Sequence, residues 1–136
     1  MEYFKDFENW NILKQKIDKN KNNCPDFSEG QVWWIHAGIN IGYEIDGKGN
    51  LFLRPVLIIR RYNAFMFLGI YLSTKIKDVW YHQPISVKNK VSAAVISQLK
   101  TFSYERLHHK IFEINEDELE EVKKKIIDSI KNNPSR

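Results

Sequence analysis

The stretch LFLRPVLIIR, residues 51–60, constrains the fold of this chain more than any other segment. It is a nearly continuous apolar run, which is typical of a buried strand. Arg54 and Pro55 interrupt it, and proline lacks the backbone N–H that an inner strand uses for pairing. We therefore expect the strand to begin at or just after Pro55, with Val56 to Ile59 as its buried part. An arginine would then stand at the entrance of a buried strand.

Five further runs of strand-forming residues surround this segment, and turn residues separate several of them. Pro84 weakens one run, and the run at 92–102 fits a strand or a helix. Several short strands in one chain predict a small β-barrel or a strongly bent sheet. The runs are QVWWIH at 31–36, AFMFLGIYLS at 64–73, YHQPISV at 81–87, SAAVISQLKTF at 92–102 and HKIFEI at 109–114.

Both ends of the chain carry helical patterns. Residues 3–19 repeat apolar side chains every three or four positions, which predicts an amphipathic helix. Near the C-terminus, Asn115 is a predicted N-cap and Glu118 occupies the capping-box position. We expect Asn132, Asn133 and Pro134 to end that second helix. The predicted apolar stripes are Phe4, Phe7, Trp10, Leu13 and Ile17 in the first helix, and Leu119, Val122, Ile126 and Ile130 in the second.

The length of 136 residues predicts a single domain, mainly β with helices. We expect a helical extension at 1–22, a barrel at 29–114 and a C-terminal helix at 115–132. The lone Cys24 cannot form an internal disulfide, which argues against a secreted fold held together by disulfides. The sequence shows no signal-peptide pattern and no apolar run of about 18 residues. These features predict a cytoplasmic protein without membrane contact.

Charge is unevenly distributed along the chain. Residues 29–112 hold eleven basic and five acidic groups, whereas residues 1–28 hold five of each. The last segment, 113–136, holds five basic and seven acidic groups. A polyanion such as RNA would explain a basic middle segment, and so would ordinary solubilising charge. Charge alone leaves both explanations open.

The histidines do not form a recognisable metal motif. His36, His82, His108 and His109 lack the spacing of a helical zinc site. The adjacent pair is expected to point to opposite faces of a strand. The glycines of GKGN also lack the spacing and context of a phosphate-binding loop. We predict no metal and no other cofactor.

Five short motifs in a fixed order carry more information than any one of them. The chain closely resembles the PemK/MazF family of toxin–antitoxin ribonucleases over roughly residues 29–130. Members of that family carry five motifs in this order: an acidic strand start, a G-x-E turn, an R-P-hydrophobic segment, a strand ending in two hydroxyl residues and a late glutamine–arginine segment. Here these are Glu29-Gly30, Gly42-Tyr43-Glu44, Arg54-Pro55, Ser73-Thr74, and Gln98-Leu99-Lys100-Thr101 with Arg106-Leu107.

The resemblance implies a small SH3-like β-barrel with flanking helices, usually a homodimer. Characterised members are metal-independent endoribonucleases that cut single-stranded RNA at short motifs, and an antitoxin from the same operon occludes the RNA site. Contact with DNA would be indirect, through the complex with the antitoxin. By resemblance, Arg54 and Thr74 are the catalytic arginine and threonine, and Glu44 helps to organise the site.

The chemistry of metal-independent RNA cleavage suits these residue types. The substrate's own 2′-hydroxyl is the nucleophile, and the phosphorane that forms carries extra negative charge. A guanidinium such as that of Arg54 binds phosphate oxygens through two parallel hydrogen bonds, and the Thr74 hydroxyl donates another. Further residues expected to bind RNA are Tyr43, Lys48, Ser73, Lys75 and Gln98.

The chain departs from the family pattern in four places. Tyr43 replaces a histidine of some relatives, and Ser97 replaces an acid, so acid–base assistance is expected to be distributed differently. The segment between Glu44 and Arg54 is longer than in compact members. Residues 1–28 have no counterpart there. We expect the N-terminal helix to dock on its own barrel or on the partner protomer in a structural role, rather than to cover the RNA groove.

Two other functions remain open at this stage. CcdB-type toxins share the architecture and poison DNA gyrase by protein contact through a C-terminal helix. A relative that binds RNA without cutting it would also fit Tyr43 and Ser97. Retention of Arg54 and of the Ser73-Thr74 pair favours the nuclease, because fold alone never settles function.

Overall fold

A computed structural model of the chain describes residues 3–21 and 24–132. Within these ranges the regular structure consists of two helices and six strands, together with a single 3-10 turn at Tyr104–Arg106. The elements are α1 (Phe7–Lys19), β1 (Gln31–His36), β2 (Leu53–Arg61), β3 (Met66–Ser73), β4 (His82–Val87), β5 (Lys90–Ser103), β6 (Leu107–Glu113) and α2 (Glu116–Lys131).

The six strands form one antiparallel sheet in the order β4-β5-β3-β2-β1-β6. The sheet is not closed into a barrel, because β4 and β6 each have a neighbour on one side. Pro84 lies in the edge strand β4, where a missing N–H costs least. The run at 92–102, which fitted either state, forms strand. The predicted β-rich class with two flanking helices is confirmed.

Strand β2 is buried on both faces of the sheet. Val56 and Ile58 pack in one apolar cluster, and Leu57 and Ile59 pack in another on the opposite face. All four are buried, as the sequence predicted. Alternate side chains of a strand point to opposite faces, so two buried faces require an apolar residue at every position.

The predicted start of β2 was wrong. The strand begins at Leu53, and Pro55 lies inside it, paired with Trp34 of β1. The ladder to β3 begins only at Val56, so Pro55 has a strand on one side alone. A proline is tolerated there because its missing N–H interrupts no second ladder.

The prediction for the paired histidines was also wrong. The rings of His108 and His109 lie 4.9 Å apart, and their Nδ1 atoms are 2.7 Å apart. The pairing of β1 with β6 shifts register here, with Trp34 opposite His109 and Ile35 opposite Leu107. Such a bulge breaks the strict alternation of side chains. The Trp34 ring stacks on His109, whereas Trp33 is buried in the core.

Helix α2 covers one face of the sheet. Leu119, Val122 and Ile126 join the cluster that contains Leu57 and Ile59. Ile130, predicted to extend this stripe, is exposed instead, because it lies one turn beyond the last contact with the sheet.

The cap of α2 agrees with the prediction in part. The Asn115 side chain accepts a 2.8 Å bond from the Glu118 backbone N–H. The Glu118 carboxylate reaches across to the backbone N–H of Ser86 at 2.8 Å, and so fastens the helix to β4. Of the residues expected to end α2, Asn132 is its C-cap, while Asn133 and Pro134 lie outside the described residues.

Helix α1 docks beside the segment that joins β1 to β2. It begins at Phe7, later than predicted, because the Asp6 side chain caps it through the backbone N–H of Asn9. Trp10 is buried against Ile39 and Phe52, with Leu13 and Ile17 packed alongside. Phe4 and Phe7, also predicted for this stripe, are exposed. Among residues 3–21 and 24–132, no helix is long and apolar enough to cross a membrane.

The docking of α1 depends on a close approach at Gly38. This glycine has φ +80°, and a Cβ there would lie 2.2 Å from Cε2 of Trp10. Gly42 has φ +55°, but a Cβ at that position would meet no atom within 4 Å, so Gly42→Ala is the matched control. We expect Gly42→Ala to lower the free energy of unfolding by about 1–2 kcal/mol through backbone strain alone. Gly38→Ala should lower it further, because it also displaces Trp10; urea unfolding of both variants is the measurement.

Equal losses in the two alanine variants would contradict this account of the docking. Trp10→Ala serves as the reference, since truncating a buried tryptophan typically costs about 3–5 kcal/mol. If Gly38 acts through Trp10, the combination of Gly38→Ala with Trp10→Ala should cost less than the sum of the two single changes.

Candidate active site

A cleft of about 710 Å³ opens where the segment between β1 and β2 meets the end of β3, the start of β4 and the middle of β5. Arg54 lies in this cleft, at the beginning of the doubly buried strand. Besides Arg54 itself, six more of the eight residues that the sequence singled out line this space, together with Ser97 and Tyr81. These six are Tyr43, Lys48, Ser73, Thr74, Lys75 and Gln98.

Arg54 is held by the segment that precedes its own strand. Its Nε donates a 3.0 Å hydrogen bond to the backbone carbonyl of Asp46. The Asp46 side chain, which is buried, accepts a 2.5 Å bond from the backbone N–H of Asn40 and pairs with Lys5 at 3.4 Å. The terminal nitrogens of Arg54 make no hydrogen bond to other residues in the described ranges. They are therefore available to an anion in the cleft.

The segment 37–52 is folded tightly rather than extended. Gly47 lies so close to Phe52 that a Cβ would be 1.9 Å from the Phe52 carbonyl oxygen. Lys48 and Leu53 exchange backbone hydrogen bonds of 2.9 and 3.0 Å, and Gly47 N–H donates to the Gly38 carbonyl at 2.7 Å. The insertion expected to lengthen this segment is thus a compact turn. It fixes the carbonyl of Asp46 to which Arg54 is bonded.

Ser73 ends β3 and Thr74 follows it, and both line the cleft. Ser73 Oγ accepts a 3.1 Å hydrogen bond from the Lys75 backbone N–H, which shapes the turn after the strand. Thr74 is exposed, and its hydroxyl bonds to no other residue of 3–21 or 24–132. The two side chains therefore differ in use: Ser73 stabilises the turn, and Thr74 presents a donor to the cleft.

Gln98 connects the β5 strand to the turn that carries Tyr43 and Glu44. Its Oε1 accepts from the Ile45 backbone N–H at 3.2 Å, and its Nε2 donates to the Tyr43 carbonyl at 3.2 Å. Both the oxygen and the nitrogen of the side-chain amide are thus hydrogen-bonded to backbone groups. Gln98 positions the turn, and the fully exposed Tyr43 ring stands free above it.

Glu44 lies in an adjoining cavity of about 280 Å³ rather than in the cleft with Arg54 and Thr74. Its carboxylate accepts a 3.2 Å bond from the Ile41 backbone N–H and so closes its own turn. Lys100 lines the same cavity, and burial lowers the pKa of its ammonium, with a smaller effect from Arg106. This cavity shares Ile45, Ser97 and Gln98 with the cleft, so Glu44 lies beside the space that Arg54 and Thr74 line.

Tyr71 lies beneath this adjoining cavity. Its hydroxyl is buried and has no hydrogen-bond partner among the described residues. Burial raises the pKa of Tyr71 to about 12, so the hydroxyl is protonated at neutral pH.

Sequence reasoning missed His82 and Lys77 as cleft residues. Both line the cleft, and His82 Nδ1 accepts a 3.3 Å bond from the Lys77 backbone N–H. Burial, with a smaller contribution from the Lys77 charge, lowers the pKa of His82. Since Nδ1 accepts, the neutral ring carries its proton on Nε2 and is a donor. His82 is brought to the cleft by its pairing with Val95. That pairing depends on the register of β4 with β5, which the sequence pattern does not reveal.

Arg106, part of the last motif, has a structural role outside the cleft. Its Nη1 donates to the His36 carbonyl at 2.9 Å and to the Ala37 carbonyl at 3.3 Å. The guanidinium also lies 5.8 Å from the centre of the Trp10 ring. It thereby joins the end of β1 to α1. Within the part of the chain that the structure describes, no group of three His, Cys, Asp or Glu residues could hold a metal ion.

Comparison with known proteins gives consistent matches. A family model described as PemK-like, MazF-like toxin of type II toxin–antitoxin system matches residues 28–130. No curated protein matches the sequence.

Among solved structures, MazF from Deinococcus radiodurans has a TM-score of 0.60 at 16% identity, covering 80% of this chain and 97% of that one. A mycobacterial endoribonuclease in complex with its cognate antitoxin has a TM-score of 0.57 at 14% identity, covering 80% and 100%. A MazE–MazF structure from D. radiodurans gives 0.56 at 12% identity, covering 82% and 100%. At these identities the likeness of the structures establishes the fold.

The environment of His82 predicts its titration. We expect the imidazole to have a pKa below the usual value of about 6.5, and therefore to be neutral at pH 7. Lys77→Gln should raise that pKa without restoring the usual value, because burial is the larger cause. The measurement is an NMR titration of the ring C–H resonances, assigned with His82→Asn. A His82 pKa above about 6.5 in the unmodified protein would contradict this description of the cleft.

Proposed function

The chain belongs to the family of PemK-like, MazF-like toxins of type II toxin–antitoxin systems, and from that premise we propose that it is a metal-independent endoribonuclease. Its substrate is single-stranded RNA, including mRNA, cut at a short sequence motif. One observation carries the proposal: a guanidinium fixed through Nε, with its terminal nitrogens available, shares a cleft with an exposed threonine hydroxyl.

The cleavage step needs only the substrate and fixed polar groups. The 2′-oxygen attacks the adjacent phosphorus and loses its proton, the bond from phosphorus to the 5′-oxygen breaks, and that oxygen gains a proton. The products carry a 2′,3′-cyclic phosphate and a 5′-hydroxyl. Charge on the phosphorus oxygens increases in the transition state, where Arg54 and Thr74 stabilise it. Neutral His82 supplies a further N–H donor to the same oxygens.

Preorganisation distinguishes Arg54 from an ordinary surface arginine. Its strand is buried on both faces, and its Nε is bonded to a carbonyl of a compact turn. The guanidinium therefore loses little conformational freedom when a phosphate binds. A flexible side chain would lose that freedom for each bond it formed.

The remaining cleft residues have distinct proposed roles. Lys48 and Lys75 attract the RNA backbone, and the exposed ring of Tyr43 stacks on a base. Gln98 and Ser73 act on RNA through the turns that they shape, since their polar atoms bond to backbone. Glu44 organises the site in the same indirect way, by closing the turn that carries Tyr43.

We also propose the partners typical of this family. One structurally similar protein is an endoribonuclease in complex with its cognate antitoxin, and another structure contains MazE with MazF. By analogy, an antitoxin would occlude this cleft in the cytoplasm and provide the only link to DNA. The half-exposed Trp34, stacked on His109 beside the sheet edge at β6, provides apolar surface for a homodimer.

Inhibition of gyrase through protein contact is the second candidate. Ile127 and Ile130 leave an apolar surface of α2 exposed, which is the element that CcdB-type toxins use. Binding of gyrase through that surface would not require an arginine in the cleft. Loss of DNA supercoiling activity in a gyrase assay, without RNA cleavage, would favour this candidate.

The decisive assay is cleavage of an unstructured RNA in the presence of excess EDTA. We expect unchanged rates with and without the chelator, and products with 2′,3′-cyclic phosphate and 5′-hydroxyl ends, because the positive charge comes from a side chain. Mapping the 5′ ends of the fragments identifies the cut motif. Activity that disappears with EDTA and returns with magnesium would contradict the proposed mechanism.

Substitutions in the cleft test the two proposed catalytic groups. Arg54→Ala should lower the rate by about 10²–10³-fold, the usual cost of one preorganised donor to a developing anion. Thr74→Val keeps the side-chain shape but removes the hydroxyl, and should cost roughly fivefold, as for one neutral hydrogen bond of about 1 kcal/mol. Lys90→Ala, at the start of β5 and outside the cleft, is the control. Folded Arg54→Ala protein with the unmodified rate would refute the assignment.

A further inference from the structure

A second cavity, of about 620 Å³, adjoins the cleft of Arg54. The two spaces share Tyr3, Gly47 and Lys48 as lining residues, so the second cavity, here called the added groove, lies directly beside the cleft. Tyr3, Phe4 and Asp6 are among the residues that line the added groove. One of its walls therefore comes from the segment before α1, here called the N-terminal segment, residues 3–6.

The N-terminal segment lies outside the family match, which begins at residue 28. The groove that it builds is thus an addition of this chain to the shared fold. Nothing in the motifs that identify the family predicts it. Any role for the segment must be argued from its own contacts.

Those contacts hold the segment at Lys5 and Asp6. Lys5 Nζ donates to the Asn40 carbonyl at 2.8 Å and pairs with the Asp46 carboxylate at 3.4 Å. Asp6 accepts from the backbone and side-chain nitrogens of Asn9 at 3.1 and 2.7 Å, which caps α1. Burial and the nearby Asp46 carboxylate raise the pKa of Tyr3. The two aromatic residues therefore directly precede residues that are held in place, and Tyr3 lies near the Asp46 carboxylate.

The chemistry of the added groove suits a base better than a phosphate. Tyr3 is 63% exposed and Phe4 is 78% exposed, and an exposed aromatic ring offers a stacking surface to any nucleobase. The Asp6 carboxylate lines the same wall and repels phosphate, and Lys5 is already paired with Asp46. Lys48, at the junction with the cleft, is exposed and placed to bind the connecting phosphate.

We infer that the N-terminal segment forms an additional RNA subsite in which an unpaired nucleobase beside the scissile phosphate stacks on Phe4 and Tyr3. The inference rests on the proposed ribonuclease function and names a specificity element of the same groove. Because this segment lies outside the family match, an RNA motif read through it extends further on one side than the shared fold alone would read.

Binding of non-cleavable RNA tests the subsite independently of cleavage. The probe is a fluorescent 2′-O-methyl oligonucleotide spanning the mapped cut site, and the readout is the dissociation constant by anisotropy with the full chain. If no cut site is found, a 2′-O-methyl RNA of random sequence replaces it. We expect Phe4→Ala to weaken binding about five- to hundredfold, the usual worth of one base stacked on an aromatic ring. Phe7→Ala, 50% exposed and outside both cavities, is the matched control and should leave binding unchanged.

Abasic substitutions in the same oligonucleotide locate the contact. Removing one base on one side of the cut site should weaken binding to the unmodified protein and have little further effect on Phe4→Ala. Equal affinity of Phe4→Ala and the unmodified protein would overturn the inference. Tighter binding by Phe4→Ala or Tyr3→Ala would also overturn it, since the segment would then be a cover over the cleft.

The outcomes for the subsite and for the catalytic function are separable. RNA binding that depends on Phe4, without cleavage of the ribose substrate, supports the subsite and refutes the nuclease. Cleavage that is indifferent to Phe4 and to every abasic position supports the nuclease and refutes the subsite. An unmodified protein that binds no single-stranded RNA refutes both.

Discussion

Burial of β2 on both faces is the constraint on which the rest of the structure depends. Because the two larger clusters of the core both draw on this one strand, its position is fixed by packing from two sides. Arg54 lies at the beginning of that strand, so the packing of the core also restricts the position of a charged group at the surface. A guanidinium placed on a loop would have no such support. The core thus performs a functional task as well as a stabilising one.

A second layer of order comes from polar bonds in the segment between β1 and β2. Asp46 joins three partners: its carbonyl holds Arg54, and its carboxylate holds Asn40 and Lys5. A buried carboxylate is costly unless it is paired, and here a backbone N–H and an ammonium satisfy it. The same residue therefore connects the arginine of the cleft to the N-terminal segment. A change that weakens the contacts of Asp46 would therefore disturb the cleft and the added groove together.

The sequence predicted what depends on local pattern and failed where tertiary pairing decides. The apolar runs placed β1 and the buried part of β2 correctly, and the five motifs identified the family. Pro55 was misjudged because its tolerance depends on which side of β2 is paired at that point. His82 was missed because only the register of β4 with β5 brings it into the cleft. Glu44 lines the neighbouring cavity, and its grouping with Arg54 by motif stays a prediction.

The central claim is that the scissile phosphate lies between Arg54 and Thr74. A crystal structure of the protein with an RNA carrying a 2′-O-methyl group at the cut site tests it directly. We predict oxygens of that phosphate within about 3 Å of the terminal nitrogens of Arg54 and of the Thr74 hydroxyl, with the Nε bond to the Asp46 carbonyl retained. A phosphate at the cut site bound elsewhere, with Arg54 contacting only protein or solvent, would contradict the account.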